Sequence, residues 1–134
     1  MQFGLDAPTT GDYADARTLS QLAAEAEASG WDGFFIWDVL LGDHPVIDPW
    51  IALTAIALQT VRIRIGLMVT PLARHRPWLV ARRLANLDQL SGGRVVCTVG
   101  LGHSGRDFSA FGEPSETAVR AAQLDESLTL LVRT

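Results

Sequence analysis

Leu87-Asp88-Gln89-Leu90-Ser91-Gly92-Gly93-Arg94, Val95-Val96-Cys97-Thr98-Val99 and Gly100-Leu101-Gly102 follow one another without a break. The three pieces read as a helix end with a glycine turn, a strand apolar on both faces, and a glycine-rich exit loop. Such a junction joins one βα unit to the next, and parallel sheets are built from these units. The exit loop carries the functional weight, because α/β folds bind ligands where the chain leaves the carboxyl ends of the strands.

The pattern repeats outward from this stretch. Short apolar runs at Gln2–Asp6, Gly33–Trp37, Ile63–Thr70 and Val95–Gly100 read as strands. Leu19, Leu22, Ala23 and Ala26 recur at helical spacing in a segment that ends at Ser29-Gly30. Asp48-Pro49 is an N-cap acid followed by proline at the first helical position, opening a helix through Leu53, Ile56 and Ala57 to about Gln59. A third helix starts near Pro77, directs Val80, Leu84 and Leu87 inward, and stops at Ser91-Gly92-Gly93. A last one starts near Ser115-Glu116 and carries Leu124, Leu128 and Leu131 on one face. Four βα units imply parallel strands with right-handed crossovers. Either a doubly wound open sheet or part of a (β/α)8 barrel satisfies this. In both, the longer loops leaving strands two, three and four (Asp38–Ile47, Pro71–Arg76, Leu101–Pro114) place function at the carboxyl-end face.

Composition narrows the class. With 48% hydrophobic and 19% charged residues over 134 positions, the chain can bury one core and is not of disordered type. A net charge of -4 gives no electrostatic basis for nucleic acid or an anionic membrane as partner. No apolar run approaches the ~18 residues of a membrane span. Cys97 is the single cysteine, so no internal disulfide forms, and its apolar neighbours predict a buried, inert thiol. An N-terminus without basic or long apolar regions fits a cytoplasmic protein.

Several residues could carry chemistry. Gly100-Leu101-Gly102 is either a tight turn or a place of close backbone approach to a flat or anionic ligand. His103 follows it and is the one catalytic candidate, for proton transfer. Asp38 ends strand two, where its carboxylate either faces the site or ties down the following loop. Arg74-His75-Arg76 reads as a solvated basic loop or as a contact for a phosphate or carboxylate tail. Asp43 and His44 lack a third ligand at metal spacing, so no metal site is expected.

At these residues the chain resembles the luciferase-like flavin-dependent oxidoreductases, the family of bacterial luciferase and the deazaflavin (F420) dehydrogenases. Four segments carry the resemblance: Leu22–Asp38 with Ser29-Gly30-Trp31-Asp32-Gly33; Asp48-Pro49-Trp50 through Ile65-Gly66; Arg76-Pro77 through Gly92-Gly93-Arg94; and Val99–Gly102 followed by Asp107-Phe108-Ser109-Ala110-Phe111-Gly112. The resemblance implies a single domain over residues 1–134, formed as the N-terminal four βα units of a (β/α)8 TIM-type barrel. It also implies FMN or coenzyme F420 as cofactor and a small organic substrate for an oxidoreductase or monooxygenase. The ring would meet Asp38, Met68, Val69, Thr70, Gly100, Leu101, Gly102 and His103, with a non-proline cis bond at Met68–Val69. Two positions depart from relatives: Val39 stands where histidine is common, and His103 stands where sugar-phosphate dehydrogenases have glutamate. The resemblance places most cofactor-phosphate contacts in the second half of the barrel.

A four-stranded piece of barrel leaves its inner face and two strand edges uncovered, with Phe3, Phe35, Trp37, Ile65 and Leu67 among the expected inward side chains. A homo-oligomer, or association with a complementary half-barrel, would cover them. Two other readings of the chain are a non-catalytic half-barrel serving assembly or ligand binding and an independent open-sheet nucleotide binder.

Overall fold

The computed structural model describes residues 1–103 and 105–133. Four parallel strands, β1 (Gly4–Ala7), β2 (Gly33–Ile36), β3 (Arg64–Pro71) and β4 (Val95–Gly100), lie in the sheet in chain order. The helices are α1 (Ala16–Ala28), α2 (Pro49–Gln59), α3 (Pro77–Ser91), the short α4 (Arg106–Ser109) and α5 (Thr117–Arg133). A doubly wound sheet reverses strand order and carries helices on both faces. Here the order runs straight through, and α1 packs on α2, α2 on α3 and α3 on α5. That is an arc of a barrel wall.

The helix boundaries follow the punctuation in the sequence. Asp15 caps α1 by accepting from the Thr18 N–H at 2.9 Å, and Asp48 caps α2 by accepting from the Trp50 and Ile51 N–H groups. Gly92, with φ 72°, ends α3 in the left-handed conformation that glycine adopts without strain. Two short 3-10 turns, Gly11–Tyr13 and Leu72–Arg74, and α4 lie in segments where periodicity gave no signal.

Alternation along the strands divides the side chains between two faces. Phe34, Ile36, Ile65 and Leu67 are buried against Leu19, Ala23, Leu53, Ile56 and Ala57 of the helices. Ile65 and Leu67, expected inside the barrel, therefore face its helical shell, and the residues between them take the inner face. Gly66 holds that face open: a Cβ there would stand 2.1 Å from the Val96 carbonyl oxygen. The Phe35 ring lies close over Gly4 and Gly33, and Trp37 Nε1 donates to Asp6 Oδ2 at 3.0 Å. Trp37, Met68 and Val96 remain exposed on this side; Phe3, also expected inside, is exposed just ahead of β1 with the parity of Leu5, which faces the helical shell. Leu22 is exposed instead of buried, and Leu84 is half-buried, because the apolar stripes of α1 and α3 are narrower than the spacing predicted. Cys97 is exposed and not a core residue, since β4 is an edge strand; nearby protein atoms still push its thiol pKa up by desolvation.

The end of the sheet opposite the exit loops is held by side chains that satisfy loop backbone. Arg94 donates to the carbonyl oxygens of Ser91, Ile63, Ala57 and Thr60 and to Thr60 Oγ1, all within 3.0 Å. Burial lowers the Arg94 pKa, with the Glu27 charge acting in the opposite sense. The Glu27 carboxylate accepts from the backbone N–H groups of Val61, Arg62 and Ile63. Desolvation alone would raise its pKa; the three N–H donors outweigh it and hold the group below its usual value. A depressed folded pKa gives stability that is present above the unfolded value of about 4.3 and is lost as pH falls through the lower folded value. Glu27→Gln is therefore expected to flatten the acid limb of the stability curve, as read by urea melts between about pH 3 and pH 6. An unchanged acid limb would show that this carboxylate is not held by the loop amides in solution.

Candidate active site

At the carboxyl ends of the strands the wall contains a cavity of about 510 Å³. Its position follows from a fault in the sheet: the β3–β4 register shifts between Leu67 and Thr70, and the Met68–Val69 peptide is cis. The cis bond predicted for this position is present. Met68 and Val69 line the cavity together with Trp37, Asp38, Val39, Leu41, Pro71, Phe108 and the exit-loop residues Gly102 and His103.

Of the eight predicted ring contacts, Asp38, Met68, Val69, Gly102 and His103 meet at this cavity. Thr70, Gly100 and Leu101 do not line it. Thr70 is buried, and Gly100 packs so close to the bulge that a Cβ would meet Val69 Cγ2 at 2.9 Å. The Leu101 carbonyl accepts from Arg120 Nη1 at 2.9 Å. Gly102 has φ 84°, and a Cβ there would stand 3.0 Å from Pro71 Cβ, so glycine lets the exit loop turn tightly against β3. His103 is exposed at the rim, and Asp43 and His44 lie exposed on the β2 exit loop. Among the described residues no group of three or more His, Cys, Asp or Glu side chains could hold a metal ion.

The polar centre of the site is an ion-pair cluster. Asp38 Oδ1 pairs with Arg74 Nη2, and Asp38 Oδ2 lies 2.8 Å from His75 Nε2. Arg74 Nη1 donates to Asp107 Oδ2 at 3.2 Å, and the same carboxylate oxygen accepts from the Leu40 N–H. The side chains of Asp38, Arg74 and Asp107 are 3%, 6% and 10% exposed. Three exit loops thus converge on one guanidinium. Of the two roles considered for Asp38, its place in the cavity wall fits the first; its carboxylate ties the β3 exit loop through Arg74 and His75, whereas the loop that follows Asp38 is held at the Leu40 N–H by Asp107. Arg74 and His75 are not a solvated basic loop: Arg74 is buried between two acids, and only Arg76 of the triplet turns outward, 5.9 Å from the centre of the Trp78 ring. Asp107 and Arg120 carried no individual signal in the sequence. The first belongs to a four-residue helix and the second to the buried side of α5, where its guanidinium stands 4.9 Å from the centre of the Phe108 ring.

A parallel βα arc with its pocket at the carboxyl-end face has the architecture of a (β/α)8 barrel wall, whose functional face lies at that end. The luciferase-like monooxygenase family model matches residues 1–134, and the chain belongs to that family. It is 34% identical over 120 residues to the F420-dependent glucose-6-phosphate dehydrogenase of Nakamurella multipartita, covering 84% of this chain and 35% of that protein. It is 33% identical over 117 residues to the 4-hydroxyprotoasukamycin monooxygenase of Streptomyces nodosus subsp. asukaensis, covering 81% of this chain and 31% of that one. In structure it matches the monooxygenase RslO1 from Streptomyces bottropensis with a TM-score of 0.86 and 26% identity, over 99% of this chain and 42% of that chain. The chain spans about a third of the length of the curated relatives it matches, and its four βα units are half of a (β/α)8 barrel.

Proposed function

We propose that residues 1–134 form one N-terminal half-barrel domain that binds the ring of a flavin or deazaflavin, FMN or coenzyme F420, for oxidoreductase or monooxygenase chemistry on a small organic substrate. One observation carries the reading: a family member has its cavity built on the Met68–Val69 bulge, between Asp38 and the Gly102–His103 exit loop. The cavity suits such a ring. Its volume of about 510 Å³ lies within the range of small-molecule sites, and its walls are largely apolar. Arg74 also lines it, and Arg74 Nε is buried without a hydrogen-bond partner among the described residues. The F420-dependent relative supports the deazaflavin choice, and the monooxygenase relative supports oxygenation as one of the two chemistries.

When bound, the ring supplies hydride transfer or oxygen activation. The chain's own residues orient and shield it. Met68, Val69 and Trp37 give apolar contact, Asp38 and Asp107 hold Arg74 in the wall, and His103 at the rim is the proton-transfer candidate. A second copy or a complementary half-barrel over Trp37, Met68 and Val96 would complete the enclosure.

Riboflavin, FMN and F420 titrations test this reading. A phosphate clamp is made of charge-assisted hydrogen bonds worth about 1.5–3 kcal/mol each. Arg74, the buried cation in the wall, is already engaged by two carboxylates. Riboflavin and FMN are therefore expected to bind weakly, with dissociation constants within about threefold of each other. An FMN constant a hundredfold tighter than that of riboflavin would point to a working phosphate clamp. Absence of binding by all three would remove the ring-pocket reading and favour the non-catalytic half-barrel.

A further inference from the structure

Gln123, Glu126, Ser127 and Leu130 recur at i, i+3, i+4 and i+7, so they share one face of α5. α5 packs on the Leu72–Arg74 turn and on α3, and this face lines a second cavity, of about 270 Å³. The facing wall is the continuous run Ala73–Trp78, and Glu113 joins from the segment ahead of α5. This cavity shares only Arg74 with the first. Its two walls carry opposite chemistry. Arg74 and His75 are engaged by Asp38 and Asp107, which leaves Arg76 as the cation that turns to a ligand. α3 begins there without a side-chain cap, and proline at its first position leaves the Trp78 N–H as its first donor. Negative charge is favoured at such a helix end. Across the cavity, the Glu113 and Glu126 carboxylates have no ion-pair partner among the described residues, and Arg76 pairs with neither. Gln123 Oε1 is buried without a hydrogen-bond partner among the described residues, an orphaned acceptor that calls for a donor. Hydrocarbon lies beside these groups, with Trp78 60% and Leu130 48% exposed. The volume falls below the roughly 300–1,000 Å³ of drug-sized sites, so the ligand is smaller than those.

We propose that this second cavity binds a free α-amino acid with an apolar side chain. Arg76 and the start of α3 take its carboxylate, and Glu113, Glu126 and Gln123 take its ammonium group. The side chain covers Trp78 and Leu130, apolar surface that it removes from water. A simple carboxylate would leave the acidic wall without a donor, and a simple amine would leave Arg76 without an anion. Only a molecule with both charges on a short frame satisfies the two walls together. The site stands apart from the ring cavity and does not rest on the ring-pocket reading.

The test is equilibrium binding to the full chain of L-leucine, of 4-methylpentanoate, which lacks its ammonium group, and of 3-methylbutylamine, which lacks its carboxylate. The indole N–H resonances of the four tryptophans report where each binds. Leucine is expected to shift the Trp78 resonance, assigned with Trp78→Phe, and to leave Trp37 of the first cavity in place. It should bind at least about tenfold tighter than either half-molecule, which is about 1.4 kcal/mol per charged group. Arg76→Gln should remove its advantage over the amine, and Glu113→Gln with Glu126→Gln its advantage over the acid. These side chains are exposed, so the variants should keep the parent fold, and the three-ligand comparison on the parent chain decides even without them. A half-molecule that binds as tightly as leucine overturns the proposal. So does a shift at Trp37 in place of Trp78, or a failure of leucine to bind.

Discussion

Arg74→Met is expected to destabilise the protein by about 3–5 kcal/mol, the cost of breaking a buried ion pair by removing one partner. Methionine keeps most of the stem and removes the charge, so the loss reports electrostatics more than packing. Asp38 and Asp107 would remain as carboxylates in a wall where their side chains are 3% and 10% exposed, with His75 as the nearest compensation for the first. Against a typical domain stability of about 5–15 kcal/mol, a loss of this size is a large fraction of the whole. Chemical denaturation of the variant measures it. Adding Asp38→Asn and Asp107→Asn to Arg74→Met should restore a good part of the loss, because the stranded charges are then gone. A loss under about 1 kcal/mol would show that water reaches both carboxylates.

Gly66→Ala should be at least as damaging, and for a steric reason. Its Cβ would stand 2.1 Å from the Val96 carbonyl oxygen, a backbone atom that cannot swing aside. β3 and β4 pair at this point, Gly66 opposite Val96, so accommodating the methyl group means parting the strands that carry the bulge. A cost of about 4 kcal/mol or more places the variant among the severe single substitutions. Gly92→Ala is the control. Nothing lies within 4 Å of a Cβ there, and only its φ of 72° penalises a side chain, by about 1 kcal/mol. Amide exchange across β4 distinguishes the two, because Gly66→Ala should open that strand and Gly92→Ala should leave it closed. A Gly66→Ala protein within about 1 kcal/mol of the parent would show that the β3–β4 contact is looser than described.

The sequence was most legible where local chemistry decides structure. The Asp48-Pro49 start of α2 and the Ser91-Gly92 end of α3 sit where capping and left-handed glycine put them. The strand positions follow from short apolar runs, but the choice between open sheet and barrel does not. It depends on strand order and on which face the helices cover, and periodicity carries neither. For the same reason Ile65 and Leu67 fell on the wrong side: a strand apolar on both faces does not say which face is the shell. The site divides along similar lines. Asp38, Met68–Val69 and Gly102–His103 lie at strand ends, which position alone marks as candidates. The cluster that fixes Asp38, made of Arg74, His75 and, through Arg74, Asp107, joins groups 33 to 37 residues apart, a separation that no local pattern reveals.

The central place of β3 in the strand order has a consequence for how such a protein can diversify. Loops on a barrel rim are often treated as separable units that can be exchanged one at a time to change specificity. Here the exit loop of β3 reaches both neighbours, taking hold of Asp38 after β2 and Asp107 after β4 through one side chain. Grafting any one of the three loops from a relative would leave a charge in the recipient without its counterpart unless the graft supplied it. The three loops therefore have to be exchanged as a set. Variation that reshapes the cavity without breaking the clamp belongs at positions outside it, and Val39 and Leu41 are lining residues that lie outside both the clamp and the β3 bulge.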